Sequence, residues 1–112
     1  MLTISDDAIR GFETQHRRRR FLEWWVAHQH LLSSVPTMPN ADWLGEYAGE
    51  AEVAGIGTDE QLFVYVAGRR RLLDPEPAQY IALMDVVFSS VSDTEKLKSV
   101  ERIARTVDGD GH

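Results

Sequence analysis

Five separate helix-start signals fall within 112 residues, and they leave little room for any architecture but a helical bundle. Ser92-Asp93-Thr94-Glu95 and Thr58-Asp59-Glu60-Gln61 each place Glu or Gln three residues after a hydroxyl. That spacing lets both side chains satisfy amides orphaned at a helix start. Asp74-Pro75 offers an N-cap carboxylate followed by proline at the first helical position. Ser5 or Asp6 opens a first helix and Asn40 a second. The expected fold is all-α, a single-domain bundle of about five helices with a long first helix. The domain spans 1–107, and 108–112 form a disordered C-terminal tail. A chain of this length buries roughly 65% of its unfolded surface, enough for a core without disulfides or metal.

The spacing predicts helices over about 6–32, 41–54, 59–73, 75–90 and 93–107. In the first, Ala8, Ile9 and Phe12 point inward. Its closing half carries apolar residues around most of the circumference (Phe21, Leu22, Trp24, Trp25, Val26, Ala27, Leu31, Leu32), as expected of a helix that is either central to the bundle or in contact with something else. Pro36 and Pro39 enforce a loop, and their P-x-x-P spacing also fits a polyproline ligand. The second helix turns Leu44, Tyr47, Ala48 and Ala51 inward, and Gly55-Ile56-Gly57 stops it in a glycine C-cap. Gly45 and Gly49 weaken that helix, and close approach of another helix is the expected reason for them. The third buries Leu62, Val66 and Leu73. The fourth is the most apolar, with six of Tyr80, Ile81, Leu83, Met84, Val86, Val87, Phe88 and Val91 able to face the core. The fifth is amphipathic through Leu97, Val100, Ile103, Ala104 and Val107, with Lys96, Lys98, Arg102 and Arg105 suited to a helix C-terminal half.

Charge is strongly segregated. Residues 21–68 hold no Lys or Arg but seven carboxylates, and the runs Arg17–Arg20 and Arg69–Arg71 bracket them. Four consecutive helical residues cannot form one patch, because each turns about 100° from the last. Arg17, Arg18 and Arg71 are therefore read as outward, and Arg19, Arg20, Arg69 and Arg70 as bordering the core, with Arg20 in cation–π reach of Trp24. Asp42, Glu46 and Glu50 recur every four residues on one side of the second helix with Trp43 beside them. Tryptophan is enriched at binding hot spots, which adds Trp24 and Trp25 to the contact candidates.

Chemistry is sparse by comparison. Glu13 and His16 form a Glu-x-x-His pair, with Glu23 a heptad beyond. A carboxylate-bridged di-metal bundle needs two such pairs, and the sequence has one. His28 and His30 point to opposite sides of a helix. Asp85, within the apolar fourth helix, needs an arginine from Arg69–Arg71 if it is buried. No phosphate-binding glycine loop, nucleophile elbow or His-Glu-x-x-His occurs. Cysteine is absent, the N-terminus lacks a signal-peptide apolar region, and no apolar run approaches the ~20 residues of a membrane span. A net charge of −6 disfavours nucleic acid. The expectation is a cytoplasmic protein with no cofactor, no catalytic or metal residues, no nucleic acid and no membrane partner.

Several segments resemble a family of small bacterial helical proteins: Met1-Leu2-Thr3-Ile4-Ser5-Asp6, Arg18 to Leu22, Val26-Ala27-His28, and Gly55-Ile56 with Thr58 to Val66. The family is encoded near type VI secretion effector, spike and PAAR-type genes. Leu73-Asp74-Pro75-Glu76-Pro77 matches only part of its usual Gly-Pro-Asp segment. The resemblance implies a non-enzymatic accessory protein that binds a secreted toxin or effector as immunity protein, chaperone or adaptor. The residues expected to touch the partner are Asp42, Trp43, Glu46 and Glu50, with Arg17, Arg18 and Arg71 as a second patch and Trp24 and Trp25 as further anchors. The alternatives are a self-associating scaffold, hence a homo-oligomer, built on Phe21, Trp24, Trp25 and Leu32, and a metal-binding protein using Glu13, His16 and Glu23.

Overall fold

A computed structural model describes the backbone of residues 6–33, 35, 40 and 42–109, and the side chains of 15–33, 35, 40 and 42–105. Five α-helices follow one another: α1 (Asp6–His28), α2 (Trp43–Val53), α3 (Asp59–Arg71), α4 (Pro77–Phe88) and α5 (Asp93–Gly109). A 3-10 turn, Gln29–Leu31, extends α1. No strand occurs among the described residues. Ala8, Ile9, Phe12, Glu13, Pro36, Pro39 and Val107, and all of 110–112, lie outside the described side chains. The backbone of α5 runs two residues past the expected boundary at Val107.

The helix ends show how local chemistry set the boundaries. Thr58 caps α3 by accepting from the Gln61 amide at 3.2 Å, and the Gln61 side chain accepts from the Gly57 amide. Ser92 accepts from Glu95 N at 3.3 Å. Gly55 closes α2 at φ 87, with Ile56 N donating to Ala51 O and Gly55 N to Glu52 O. That is the Schellman pattern, which needs a residue free to adopt left-handed backbone. The start of α4 differs from expectation by two residues. Pro77 forces Glu76 into extended backbone (φ −70, ψ 160), so a helix cannot pass through it from Pro75. Glu76 and Gln79 then form the capping box, with Glu76 N donating to Gln79 Oε1 at 2.8 Å. At the end of α1, the His28 ring Nδ1–H donates to Trp24 O at 2.8 Å, and the chain tightens into the 3-10 turn short of the expected Leu32.

The central helix is α3, not the closing half of α1. It packs against each of the other four, and every residue from Leu62 to Gly68 is buried. Phe21 and Trp24 stack on each other and meet Phe63 at a tilt, and Trp25 meets Trp43 edge-on at 5.3 Å. Val26 and Ala27 on α1 are exposed. A Cβ on Gly68 would stand 2.5 Å from Leu83 Cδ1, so this glycine is what lets α3 and α4 approach. The fourth helix packs mainly on α3 and α5 and buries Leu83 and Val87. Tyr80, Met84 and Val86 are partly covered, while Ile81 (62% exposed), Phe88 and Val91 remain open. Leu73, expected inside, lies beyond the end of α3 and is also exposed.

Candidate functional site

The outer face of α2 is acidic and open. Trp43, Leu44, Tyr47 and Ala51 form its buried side, which puts Gly45, Glu46, Ala48, Gly49, Glu50, Glu52 and Val53 outward. Val53 is 91% exposed. A Cβ at Gly45 or Gly49 would meet nothing within 4 Å, so no neighbouring helix accounts for these glycines, contrary to expectation. The helix itself carries no cation.

The carboxylates on this face differ in their partners. Asp42 is highly exposed and lies 3.3 Å from Arg18. Surface pairs of this kind contribute little and exchange readily. Glu50 is held more firmly. Its Oε1 accepts from Tyr65 Oη at 2.9 Å and from Arg69 Nε at 3.1 Å, and Tyr80 Oη stands 3.3 Å from Tyr65 Oη. Burial, then the bonds to Tyr80 and Glu50, hold the Tyr65 hydroxyl far above its ordinary value of 10.0. Burial draws Arg69 down, but the hydrogen bond and charge of Glu50 outweigh it and the net direction is upward. Glu50 therefore ties α2 to α3. Glu46 and Glu52 are exposed and have no ion pair among the described residues.

The tryptophans are largely covered. Trp43 and Trp25 are each only 5% exposed. Trp43 lies under the Arg70 guanidinium, 4.4 Å from ring centroid to Cζ. Trp24 is partly covered, and its indole N–H donates to Asp93 Oδ2 at 2.9 Å. Trp25 and Trp43 are thus packed inside the chain, and Trp24 keeps part of its ring at the surface. Phe21 and Leu32 are buried as well, which removes the surface expected for a self-associating scaffold.

The arginine runs mostly turn inward electrostatically. Arg17 and Arg20 both grip Asp59, at 3.0 and 2.7 Å, fastening α1 to the start of α3. Arg20 also reaches Glu60 and makes no cation–π contact with Trp24. Arg19 is exposed and pairs with Glu23 one turn on. Arg71 is not outward. It is about three-quarters covered and holds Glu101 of α5 through two bonds, Nε–Oε2 at 3.0 Å and Nη2–Oε1 at 3.3 Å. Arg17, Arg18 and Arg71 thus do not form one patch.

The remaining candidates separate. His16 and Glu23 are exposed and Glu13 lies outside the described side chains; among the described residues no group of three or more acidic, His or Cys side chains is placed to hold a metal. His28 is spent on Trp24 O, and His30 faces solvent. Asp85 is exposed, so it needs no arginine. One polar residue was missed. Lys96 is buried, and its Nζ donates to Val87 O at 2.9 Å, capping the C-terminus of α4 from the neighbouring helix. No described helix is long and apolar enough to cross a membrane.

No protein-family model, no curated protein and no solved structure matches this chain.

Proposed function

We propose that this chain is a non-enzymatic binding protein that docks a basic protein surface on the outer face of α2. In line with the family resemblance, its partner is a secreted bacterial toxin or effector, held in the cytoplasm by an immunity protein, chaperone or adaptor. The observation that carries the reading is the pair Glu46 and Glu52. Both project from a helix without cations, and no described basic side chain neutralises them. Glu46 stands one turn from both Asp42 and Glu50, and like charges at that spacing cost a few tenths of a kcal/mol, a cost that a basic partner relieves. Gly45 and Gly49 leave space for that partner to come close to the helix backbone. Charge complementarity of this kind speeds encounter and sets specificity more than it adds affinity.

The test is capture of the products of neighbouring genes by the wild-type protein and by Glu46→Lys/Glu52→Lys. Retained capture by the double variant sinks the assignment to α2. Self-association stays the second reading, on a different surface from the one expected: the exposed strip of Ile81, Phe88 and Val91. Light scattering at high concentration that shows a monomer removes it.

A further inference from the structure

We infer that the outer face of α4 docks an amphipathic helix of another protein, one that carries a single Lys or Arg in the middle of its apolar stripe. The core side of α4 is Leu83 and Val87. At about 100° per residue, the opposite side is Ala78, Ile81, Ala82, Asp85 and Phe88. Ala78, Ile81, Asp85 and Phe88 are exposed, Ala82 is half-buried, and Val91 lies open just past the helix end. The other exposed large apolar side chains described, Val26, Val53 and Leu73, stand singly on or beside three other helices. Scattered residues of that kind are normal on a protein surface. Ile81, Phe88 and Val91 are instead gathered along one helix.

The shape of the face fits a helix. Positions 78, 81, 85 and 88 repeat at helix-packing spacing, so α4 has a second stripe that faces away from the core. The helix is 12 residues long, which makes the stripe about 18 Å. Ala78 and Ala82 keep one flank low, where the ridge of a second helix seats. Beside that flank lies a groove of about 230 Å3 between α4 and α5, with Ala82, Val86 and Ile103 as its apolar lining and Ser99 and Arg102 also facing it. An apolar side chain of the partner fills this groove.

Charge selects the occupant. Asp85 is the one charged residue of α4. It points directly away from the core, and among the described residues it makes no hydrogen bond or ion pair. A carboxylate covered by an apolar surface loses its water and needs a cation opposite it. The same strip carries the self-association reading above, and Asp85 separates the two occupants. Two copies packed across a two-fold axis at the helix middle set Asp85 against Asp85, and like charges brought together in an interface oppose association. A helix with one cation at that level neutralises Asp85 and covers Ile81 and Phe88 at once. Glu46 and Glu52 lie on α2, so this inference does not rest on the α2 reading.

The experiment titrates the isotope-labelled full chain with two synthetic helical peptides and follows amide chemical shifts. Each peptide is about 15 residues long, enough to span α4. Both are built of Leu, Ala and Gln with one leucine stripe, and they differ only in Lys or Glu at the middle of that stripe. Saturable shifts centred on residues 78–91 are expected with the Lys peptide, at a Kd below about 1 mM. The Glu peptide is expected to bind about tenfold more weakly. Asp85→Lys is expected to reverse that preference, and Ile81→Gln and Phe88→Gln to weaken both peptides; all three positions are exposed. Glu46→Lys/Glu52→Lys is expected to leave Lys-peptide binding at α4 unchanged, which keeps this site distinct from the α2 face. Absence of saturable shifts at α4, equal binding of the two peptides, or a preference that survives Asp85→Lys overturns the inference. So does a concentration-dependent shift of the same residues in the free protein, which gives the face to a second copy.

Discussion

The arginine runs and the acidic face of α2 are near neighbours with opposite fates. The runs dominate the sequence by eye, yet their charges go to internal pairs: Arg17 and Arg20 to Asp59, Arg69 to Glu50, Arg71 to Glu101. The α2 face is less conspicuous, but Glu46 and Glu52 reach solvent without a described partner. The difference comes from position. Long, forked guanidinium side chains at the borders of core stripes reach carboxylates on adjacent helices, whereas α2 packs chiefly on α3 through one apolar side and turns the other outward. Abundance of a charge says little about its availability; the packing of the helix that carries it decides.

The contrast between inward and outward groups is open to attack at several points. The largest effect is expected where the first arginine run hands over to the core. Phe21 is fully buried against Phe63 and both α1 tryptophans, so Phe21→Ala is expected to cost about 3–5 kcal/mol in denaturant unfolding. A loss below about 1 kcal/mol contradicts the placement of α1 on α3. Next comes Arg71→Met, which leaves Glu101 without its two-bond partner; a loss of about 1–3 kcal/mol is expected. Arg19→Met, by contrast, is expected to stay within about 0.5 kcal/mol because both members of that pair are exposed. Equal effects at the two positions erase the distinction between them.

Tyr65 gives a pH signature. Its folded state favours the protonated hydroxyl, so the resulting stability is fully present below the ordinary tyrosine value of 10.0. It declines as pH rises beyond that value, by up to about 1.4 kcal/mol per pH unit. Unfolding curves through this range check it: the wild-type slope is expected to be steeper than that of Tyr65→Phe, and identical slopes refute the link from the buried Tyr65 hydroxyl to Glu50. The smallest stability change belongs to Glu46→Lys/Glu52→Lys, expected within about 0.5 kcal/mol of wild type, since neither carboxylate holds the fold.

Much of the fold was legible because its signals are local. The Thr58 and Ser92 caps and the Gly55 stop act within a few residues, and all three form. The start of α4 was misplaced because Pro75 was weighed without the second proline, whose restriction on Glu76 moves the helix to Pro77. Ranking helices by apolarity alone put α4 too deep: burial depends on a helix's neighbours, and α4 packs mainly on α3 and α5 whereas α3 packs against all four other helices. The site was legible in part. The recurrence of Asp42, Glu46 and Glu50 located an exposed helix face, but Glu50 is drawn off by Tyr65 and Arg69, and Trp43 belongs to the opposite, buried side. Glu52 was passed over because it falls off the four-residue spacing. Lys96 capping α4 and Arg71 joining Glu101 are contacts between separate helices, which no spacing along one helix reveals.

The most direct test of the account is quantitative binding of each neighbouring gene product to the wild-type protein and to Glu46→Lys/Glu52→Lys, at low and at high salt. The account predicts that one product binds, more weakly as salt screens the charges, and that the double substitution weakens it by about tenfold or more while unfolding midpoints stay together. A partner that binds both proteins equally, with no dependence on salt, contradicts it.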